Sequence, residues 1–157
     1  MAAGLLDLIH LADLDNSVTV RVLGRYMPGV LPWHDFLRAE VLVESEFVTA
    51  RLALCLAQLD LDAWERALGV LAEGRGVRWL DTGRTPELGI ELTGQGHEAA
   101  VTVRDVPQSG VSVRVPLALH DGWLADQRER LGLVRRAYPC EVVETSPNAY
   151  AWRRPVA

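Results

Sequence analysis

Lysine is absent from this sequence, and all 16 of its basic residues are arginine. A chain without lysine cannot form a Schiff base through a side-chain amine, and it cannot build a Walker-type phosphate loop. Both classes of mechanism are therefore excluded. Arginine together with abundant Ala, Gly, Val and Leu indicates codon bias in a GC-rich genome, so we attach no further function to the missing lysine.

Cysteine and long apolar runs are also scarce. Cys55 and Cys140 lie far apart and lack CxxC spacing. Cys55 lies in an apolar stretch, which favours a reduced, packed thiol and a cytoplasmic protein. No segment reaches the roughly 18 uninterrupted apolar residues of a membrane helix. The N-terminal apolar run is broken by Asp7 and has no early positive charge, so we expect neither a signal peptide nor a membrane span there.

The composition is that of an ordinary globular protein. A chain of 157 residues with 49 % apolar and 24 % charged residues is expected to form one domain that buries about two thirds of its unfolded surface. The formal net charge of −5 argues against non-specific binding to nucleic acid or to an anionic membrane, and it is compatible with a basic partner.

A two-residue period dominates residues 36–57. Apolar residues occupy alternate positions, first Leu37, Ala39, Val41 and Val43 and then Val48, Ala50, Leu52, Leu54 and Leu56. This period predicts two strands with one buried face each, joined by a turn at Ser45 and Glu46. Similar patterns predict further strands over 5–11, 17–24, 77–80, 88–93, 99–106 and 111–117.

The period changes to three and four residues at two places. The first apolar stripe is formed by Leu61, Trp64, Leu68 and Leu71. It predicts a helix of about four turns that is capped by Asp60 or Asp62 and ends in the stretch 74–76. A second helix is predicted over 121–138. The fold class that follows is α+β, a mainly antiparallel β-sheet of about eight strands with two packed helices in the order ββββαββββα.

Residues 1–138 are predicted to form this single domain, and residues 139–157 a C-terminal tail. Both helices open on an Asp-x-Trp pattern, with Trp64 and Trp123, which is compatible with an internal duplication or with chance. In either case we expect each tryptophan to fix its helix to a sheet face. Residues 140–143 are predicted as an edge strand. Tyr150 and Trp152 favour a docked tail, and a frayed terminus is the alternative.

No catalytic residue, cofactor or metal site is predicted. Residues 94–99 match a loose GxGxxA pattern, but a strand follows in place of a helix, so we interpret them as a hairpin turn. The four histidines lack the spacing of a metal site. His34 and Asp35 form an adjacent acid–base pair in the aromatic loop 25–35, yet nothing marks a nucleophile beside them. We expect His34 to order the loop or to contact a partner.

Five arginines occupy the polar rows of predicted strands, namely Arg21, Arg38, Arg51, Arg104 and Arg114. A phosphate-binding face is one interpretation of this pattern. Because Glu40, Glu44 and Glu91 occupy similar positions, cross-strand ion pairs are the simpler interpretation. We therefore expect no nucleic-acid partner.

The excess negative charge lies in the first 62 residues, which contain nine Asp or Glu and four Arg, a balance of −5, whereas residues 63–157 contain twelve of each. In an antiparallel meander the acidic turns at 13–15 and 44–46 lie at one end of the sheet, and Asp35 lies beside Trp33 at the other. A solvated rim and a docking surface for a basic protein are the two interpretations. The predicted partner-binding residues are Asp13, Asp15, Tyr26, Trp33, His34, Asp35, Glu44 and Glu46.

Four stretches carry a family resemblance: DFLRAEV (35–41), FVTARL (47–52), LDAW (61–64) and GVSVRVPL (110–117). They resemble a family of short, uncharacterised bacterial proteins similar to the WapI-family immunity proteins of polymorphic toxin systems. The resemblance spans roughly residues 5–138 in order of elements. It implies an α+β domain with antiparallel strands and two helices, and a neutraliser that occupies a toxin's surface. It supplies no catalytic residue.

Three functional hypotheses follow. The first is a non-enzymatic protein-binding module of immunity type that covers a basic partner, such as a nuclease toxin, with Trp33 and Tyr26 as central contacts. The second is a small enzyme or ligand-binding module at the 26–35 loop, which predicts a concave pocket there. The third is an accessory or assembly subunit that docks through an exposed edge strand or the tail. The sequence leaves the oligomeric state open.

Overall fold

Two antiparallel four-stranded sheets, each followed by a helix, make up most of the fold. The computed structural model describes residues 4–94 and 97–154. Its elements are β1 Leu6–Ala12, β2 Ser17–Arg25, β3 Leu37–Glu44, β4 Thr49–Leu56, α1 Gln58–Ala72, β5 Val77–Trp79, β6 Glu87–Leu92, β7 Glu98–Arg104, β8 Ser112–Ala118, α2 Trp123–Ala137, β9 Val142–Ser146 and β10 Ala149–Trp152. The predicted α+β class and the order ββββαββββα are confirmed, and the tail adds β9 and β10.

The two-residue period of the sequence produces both sheets. The first has the strand order β1-β2-β3-β4 and the second the order β5-β6-β7-β8. Val41 is 1 % exposed and Val103 is 4 % exposed, because side chains two positions apart along a strand point to the same face. Residues from both sheets and both helices join one continuous buried cluster, to which Leu52 and Val113 contribute as partly buried members.

Local hydrogen bonds fix the start of α1. Ala57 is the N-cap, and its backbone N–H donates to the Asp60 carboxylate at 2.7 Å. Of the two predicted capping residues, Asp60 is therefore the one that acts, from the third helical position. Asp62 accepts a hydrogen bond from Arg135 of α2 at 2.7 Å and so joins the two helices.

The helix α1 ends at Ala72, two residues before the predicted stretch 74–76, and Gly74 closes it. Gly74 has a φ of +81°, which glycine adopts without the steric cost that a Cβ atom brings. Its N–H donates to the Leu71 carbonyl, and the N–H of Arg75 donates to the Val70 carbonyl. These two bonds form a Schellman motif, which satisfies carbonyl groups that the helix end leaves free.

The two tryptophans expected to fix the helices are both buried, but their positions differ. Trp64 is 0 % exposed, and its ring centroid lies 5.5 Å from that of Trp79 in β5. Trp79 Nε1 donates to the Asp60 carbonyl at 2.9 Å, so α1 is fixed to the first strand of the second sheet. Trp123 is the first residue of α2, whereas Trp64 is the seventh residue of α1.

Helix α2 covers the free edge of β1. Gln127 is 0 % exposed, and its Oε1 accepts a hydrogen bond from the His10 N–H at 3.0 Å. Its Nε2 donates to the His10 carbonyl at 2.9 Å. The glutamine side chain thus replaces a neighbouring strand and satisfies backbone groups that an uncovered edge leaves free.

The tail forms a hairpin of its own. β9 and β10 pair antiparallel with each other, and within the described residues neither strand joins a four-stranded sheet. The prediction of an edge strand over 140–143 is therefore wrong. Asn148 adopts a φ of +62°, a conformation that asparagine tolerates, and the turn it closes gives β9 a nearer partner in β10.

The glycine-containing stretch 94–99 connects two antiparallel strands. The Thr93 N–H donates to the Glu98 carbonyl at 2.8 Å, and β7 begins at Glu98. No helix N-terminus follows the glycines, so the stretch lacks the geometry of a dinucleotide site. The predicted turn falls partly on Gln95 and Gly96, which lie outside the described residues.

Both helices of the described chain contain 15 residues, and neither is long and apolar enough to cross a membrane.

Candidate functional site

The eight predicted partner-binding residues lie at two ends of the first sheet. β2 runs from Ser17 at one end to Arg25 at the other, a span of nine residues or roughly 27–30 Å. We call residues 13–17 together with 44–47 the acidic end, and residues 26–36 the loop end. Asp13, Asp15, Glu44 and Glu46 belong to the acidic end, and Tyr26, Trp33, His34 and Asp35 belong to the loop end. They do not form one site.

The two acidic turns meet at the acidic end, as the predicted meander requires. Ser17 lies opposite Glu44 in the pairing of β2 with β3. Together the turns enclose an open depression of about 320 Å³. Asp15 and Glu44 are exposed in its lining, and Glu46 is exposed in the adjoining turn. None of the three forms an ion pair within the described residues. This end therefore presents three free carboxylates to solvent.

Asp13 differs from the other acids at this end. Its Oδ1 accepts hydrogen bonds from the N–H groups of Asp15 and Asn16, both at 2.8 Å, and its Oδ2 accepts one from the Ala118 N–H at 2.9 Å. Burial alone raises the pKa of this carboxyl, but the three backbone donors outweigh it and hold the pKa below its ordinary value. Asp13 thus ties the first turn to the edge of β8, which is a structural role.

Two large apolar side chains stand at the tips of the acidic turns. Leu14 is 102 % exposed and Phe47 is 96 % exposed. Neither residue belongs to the predicted partner-binding set. The available signal is their position in the sequence: Leu14 lies between Asp13 and Asp15, and Phe47 follows Glu46 and lies outside the alternation that begins at Val48. Exposed apolar side chains of this size next to free carboxylates are the most distinctive surface feature of this end.

The loop end contains a groove of about 600 Å³ between the loop, the start of α1 and the tail hairpin. Its apolar lining includes Leu31, Trp33, Phe36, Leu59, Val142 and Tyr150. The concavity predicted by the ligand-binding hypothesis is therefore present at this loop, and the tail supplies one of its walls. Trp33 is 45 % exposed within it, whereas Tyr26, which is 48 % exposed, lies outside the lining.

Asp35 is the main anchor of the tail. Its carboxylate accepts hydrogen bonds from the N–H groups of Glu141 and Val142 and from the Cys140 thiol, and it pairs with Arg25 at 3.1 Å. Burial alone raises the pKa of this carboxyl, but the backbone donors, the thiol and the guanidinium outweigh burial and lower the pKa below its ordinary value. Asp35, which also lines the groove, is therefore ionised, and both of its carboxylate oxygens accept hydrogen bonds from the tail.

Arg25 completes this anchor from the end of β2. Its guanidinium donates to the carbonyls of His34 and Pro139 and to the Glu141 carboxylate. It also lies 5.8 Å from the ring centroid of Tyr138 at the end of α2. One cation therefore joins the sheet, the loop, the second helix and the tail.

His34 orders the loop, which is one of the two roles predicted for it. Its Nδ1 accepts a hydrogen bond from the Gly29 N–H at 2.8 Å, so the neutral ring carries its proton on Nε2. Nε2 is buried and lies 3.6 Å from the Glu141 carboxylate, beyond hydrogen-bond distance. His34 and Asp35 thus point to different partners, and the adjacent pair in the sequence is not an acid–base dyad in space.

The two cysteines are free thiols. Burial raises the pKa of the Cys140 thiol, and the hydrogen bond that it donates to Asp35 raises it further. Burial followed by the nearby Asp60 carboxyl raises the pKa of Cys55 in the same way. Because the thiolate is the reactive form, both residues are poorly suited to act as nucleophiles.

Four of the five outward arginines form the ion pairs that the simpler interpretation predicted, whereas Arg38 and Glu44 form none within the described residues. The pairs are Arg21 with Asp7 at 2.7 Å, Arg51 with Glu40 at 3.5 Å, Arg114 with Glu91 at 3.7 Å and Arg104 with Glu87 at 4.0 Å. Within the described residues, no group of three His, Cys, Asp or Glu side chains is placed to hold a metal ion.

Comparison with known families gives one match. Residues 6–139 match the model of a family described as a family of unknown function, DUF5959. The matched region contains both four-stranded sheets and both helices, and it ends where the tail begins. No curated protein matches the chain.

Proposed function

The chain belongs to DUF5959, a family of unknown function, and we propose that it is a non-enzymatic protein-binding module that docks a basic partner through its acidic end. The observation that carries this proposal is the nearly complete exposure of Leu14 and Phe47 beside three free carboxylates. The residues that resembled a catalytic pair, His34 and Asp35, are occupied by the loop and the tail. This occupation supports a binding role over an enzymatic one.

The free carboxylates supply attraction and orientation. Asp15 and Glu44 line a shallow depression, Glu46 lies in the same turn as Glu44, and the chain has a net charge of −5. Carboxylates arranged in this way attract a positively charged surface and raise the rate of encounter. A guanidinium or ammonium group of the partner fits the depression as a complementary charge.

The apolar tips supply affinity. Burying a Leu or Phe side chain that is otherwise exposed stabilises a complex by about 1.5–3 kcal/mol each. Apolar anchors inside a charged rim are the usual arrangement of an interface in which a few residues dominate the binding energy. Leu14 and Phe47 therefore replace Trp33 and Tyr26 as the central contacts of the proposed interface.

The class of partner is part of the proposal. The resemblance to WapI-family immunity proteins makes a toxin the expected partner, and the acidic end makes a basic toxin, such as a nuclease, the complementary one. Two free thiols, Cys55 and Cys140, support a reducing, cytoplasmic location in which such a toxin is neutralised.

The experiment reverses charge at the acidic end. The double variant Asp15→Lys and Glu46→Lys removes two of the three free carboxylates without touching a described hydrogen bond. Wild-type and variant chains are co-expressed with the protein encoded next to the gene, and the complex is recovered at about 0.05 M and 0.3 M salt. We expect the wild type to retain the partner at low salt and the variant to retain at least about tenfold less.

The matched control is the double variant Asp81→Lys and Glu129→Lys. It changes the net charge by the same amount at two exposed positions outside the acidic end. Equal retention by the wild type and this control supports docking at the acidic end. Retention of the partner by the variant Asp15→Lys and Glu46→Lys contradicts docking at the acidic end.

A second candidate function is ligand binding in the groove of the loop end. Its volume of about 600 Å³ and its aromatic lining are within the range of small-molecule sites. The test is a fluorescence titration with 1-anilinonaphthalene-8-sulfonate, in the wild type and in Trp33→Ala. Saturable binding that Trp33→Ala weakens supports this candidate, and equal fluorescence of the two proteins contradicts it.

A further inference from the structure

Three of the four edge strands of the two sheets are protected against pairing with another chain. The edge of β1 is occupied by the Gln127 side chain, which bonds the His10 N–H and carbonyl. β5 contains only three residues and contacts α1. β8 contains Pro116, which has no N–H to offer. These are established ways in which proteins keep sheet edges from associating.

The turn at the acidic end adds a second cover to β8. Asp13 accepts a hydrogen bond from the Ala118 N–H, and the Asn16 side chain donates to the Pro116 carbonyl at 3.0 Å. The two outward-facing groups nearest to the first sheet are therefore satisfied. A partner strand cannot align along the whole length of β8 without displacing this turn.

Within the described residues, no side chain or turn forms hydrogen bonds with the outer edge of the eight-residue strand β4. The Ser45 N–H donates to the Val48 carbonyl, and the alternation of an antiparallel ladder then directs the backbone groups of Thr49, Arg51 and Ala53 away from β3. Within the described residues these outward groups have no backbone or side-chain partner. The same three residues are exposed.

The core is also incomplete along β4. Leu52 lies opposite Val41 in the ladder and points to the same buried face. Val41 is 1 % exposed, whereas Leu52 is only partly buried because no strand lies beyond it. A further strand paired to β4 would cover Leu52 and would satisfy the free backbone groups at the same time.

We propose that β4 pairs with β4 of a second copy of this chain, in a two-fold symmetric antiparallel arrangement that joins two four-stranded sheets into one. A two-fold axis at Leu52 places this residue opposite its own copy, with both side chains on the core face. Arg51 then lies opposite Ala53 of the second copy, and each such pair exchanges two hydrogen bonds.

Charge and size favour this register. It keeps Arg51 away from its own copy, whereas an axis at Arg51 brings two like charges together. Ala53, opposite Arg51 of the second copy, is small and lies opposite Glu40 within its own sheet. The Arg51 side chain is 73 % exposed and can extend over Ala53 to Glu40 of the other copy, across two strand spacings or about 10 Å. We call the boundary between the two β4 strands the pairing line. The residues along it are therefore complementary to the same set of residues in the second copy.

This pairing is independent of the proposed partner and compatible with it. The two β4 strands run in opposite directions, so the acidic ends of the two copies lie at opposite ends of the joined sheet. Asp15 and Leu14 of each copy lie outside the pairing line. A dimer of this kind presents two separate acidic ends.

The test is sedimentation equilibrium of the full chain at about 0.15 M salt. We expect a monomer–dimer equilibrium in the wild type. Ala53→Lys places a lysine opposite Arg51 of the second copy and beside Glu40 of its own chain, so the fold is retained while association is opposed. Because symmetry uses the substitution twice, we expect the dissociation constant to rise about tenfold or more.

Two further variants fix the assignment. Arg51→Glu combined with Ala53→Lys restores opposite charges across the pairing line and is expected to restore association. Ala118→Lys adds the same charge at an exposed alanine of the protected strand β8 and is expected to leave association unchanged. Any one of three results overturns the proposal. They are a dimer that persists in Ala53→Lys, a double variant that associates as weakly as Ala53→Lys, and a wild type that stays monomeric up to about 1 mM. Circular dichroism of each variant verifies that it is folded.

Discussion

Asp35 is the residue that joins the tail to the rest of the molecule. In the sequence it appears as half of an acid–base pair with His34, but the two side chains serve different neighbours. The carboxylate accepts hydrogen bonds from two backbone N–H groups and a thiol, and it pairs with Arg25. A carboxylate that accepts hydrogen bonds from so many donors is expected to contribute to the stability of the fold and not to a catalytic step.

The first prediction concerns Asp35→Asn. The amide retains one acceptor oxygen but replaces the other with a donor, which faces the donors of the tail, and it leaves Arg25 with Glu141 as its remaining anionic partner. We expect the free energy of unfolding to fall by about 2 kcal/mol, measured by chemical denaturation. The control is Asp15→Asn, an exposed acid whose side chain has no hydrogen bond or ion pair within the described residues, and it is expected to change the same quantity by less than about 0.5 kcal/mol. Equal stability of the two variants contradicts the anchoring role.

The second prediction concerns pH. The pKa of Asp35 is lower in the folded protein than in the unfolded chain, where it is about 4. Its contribution is therefore fully present above about pH 5, and it is lost as pH falls below about 4 toward the folded pKa. We expect the stability difference between wild type and Asp35→Asn to be constant at neutral pH and to shrink in acid. A difference that grows as pH falls contradicts this assignment.

The third prediction concerns the two thiols. Burial raises the pKa of both Cys55 and Cys140, so the fraction of thiolate at neutral pH is small. We expect iodoacetamide to alkylate the folded protein at least about tenfold more slowly at pH 7.5 than the same chain in denaturant. Rapid alkylation of Cys140 in the folded protein, detected by mass spectrometry, contradicts the environment described for it and reopens a nucleophilic role.

The strands and helices follow from the sequence because each has a period that its neighbours reinforce. Val41 and Leu52 occupy inward positions of a strict two-residue alternation, and Leu61 and Leu68 occupy one stripe of a helix. The tail hairpin does not follow from the sequence. Its strands are short, and its only strong signal is the turn at Asn148, so a prediction from periodicity assigns it an edge position it does not have.

The fourth prediction concerns the contact between α2 and β1. Gln127→Leu keeps the volume of the buried side chain but leaves the His10 N–H and carbonyl without partners. We expect the free energy of unfolding to fall by about 2–3 kcal/mol, because two partly buried backbone groups then lack hydrogen bonds. Thermal unfolding measures the change. An unchanged midpoint in Gln127→Leu contradicts the role of this side chain as a substitute strand.

At the scale of the whole molecule, the acidic residues divide into carboxylates that accept structural hydrogen bonds and carboxylates that remain free. The charge balance of −5 in the first 62 residues is visible in the sequence, but which carboxylates are free is not. Asp13 accepts a hydrogen bond from a backbone N–H in the second half of the chain, and Asp35 accepts one from the tail. The sequence separations of these contacts are too large for any local pattern to encode them. Asp15, Glu44 and Glu46 remain free. The sequence thus predicts the acidic end, but it does not predict which of its carboxylates are free and which accept structural hydrogen bonds.

The two apolar tips distinguish a docking surface from a solvated rim. A rim that serves solubility needs the carboxylates but gains nothing from Leu14 and Phe47, which are almost completely exposed. The double variant Leu14→Ser and Phe47→Ser therefore separates these interpretations. Since neither side chain is buried in the free protein, we expect the free energy of unfolding of the variant to lie within about 0.5 kcal/mol of that of the wild type.

The decisive quantity is the affinity of this variant for the partner recovered with the wild type, measured by isothermal titration calorimetry. We predict an affinity about 100-fold weaker than that of the wild type, because two apolar side chains of this size no longer become buried in the complex. An affinity within about twofold of the wild type contradicts docking at the acidic end.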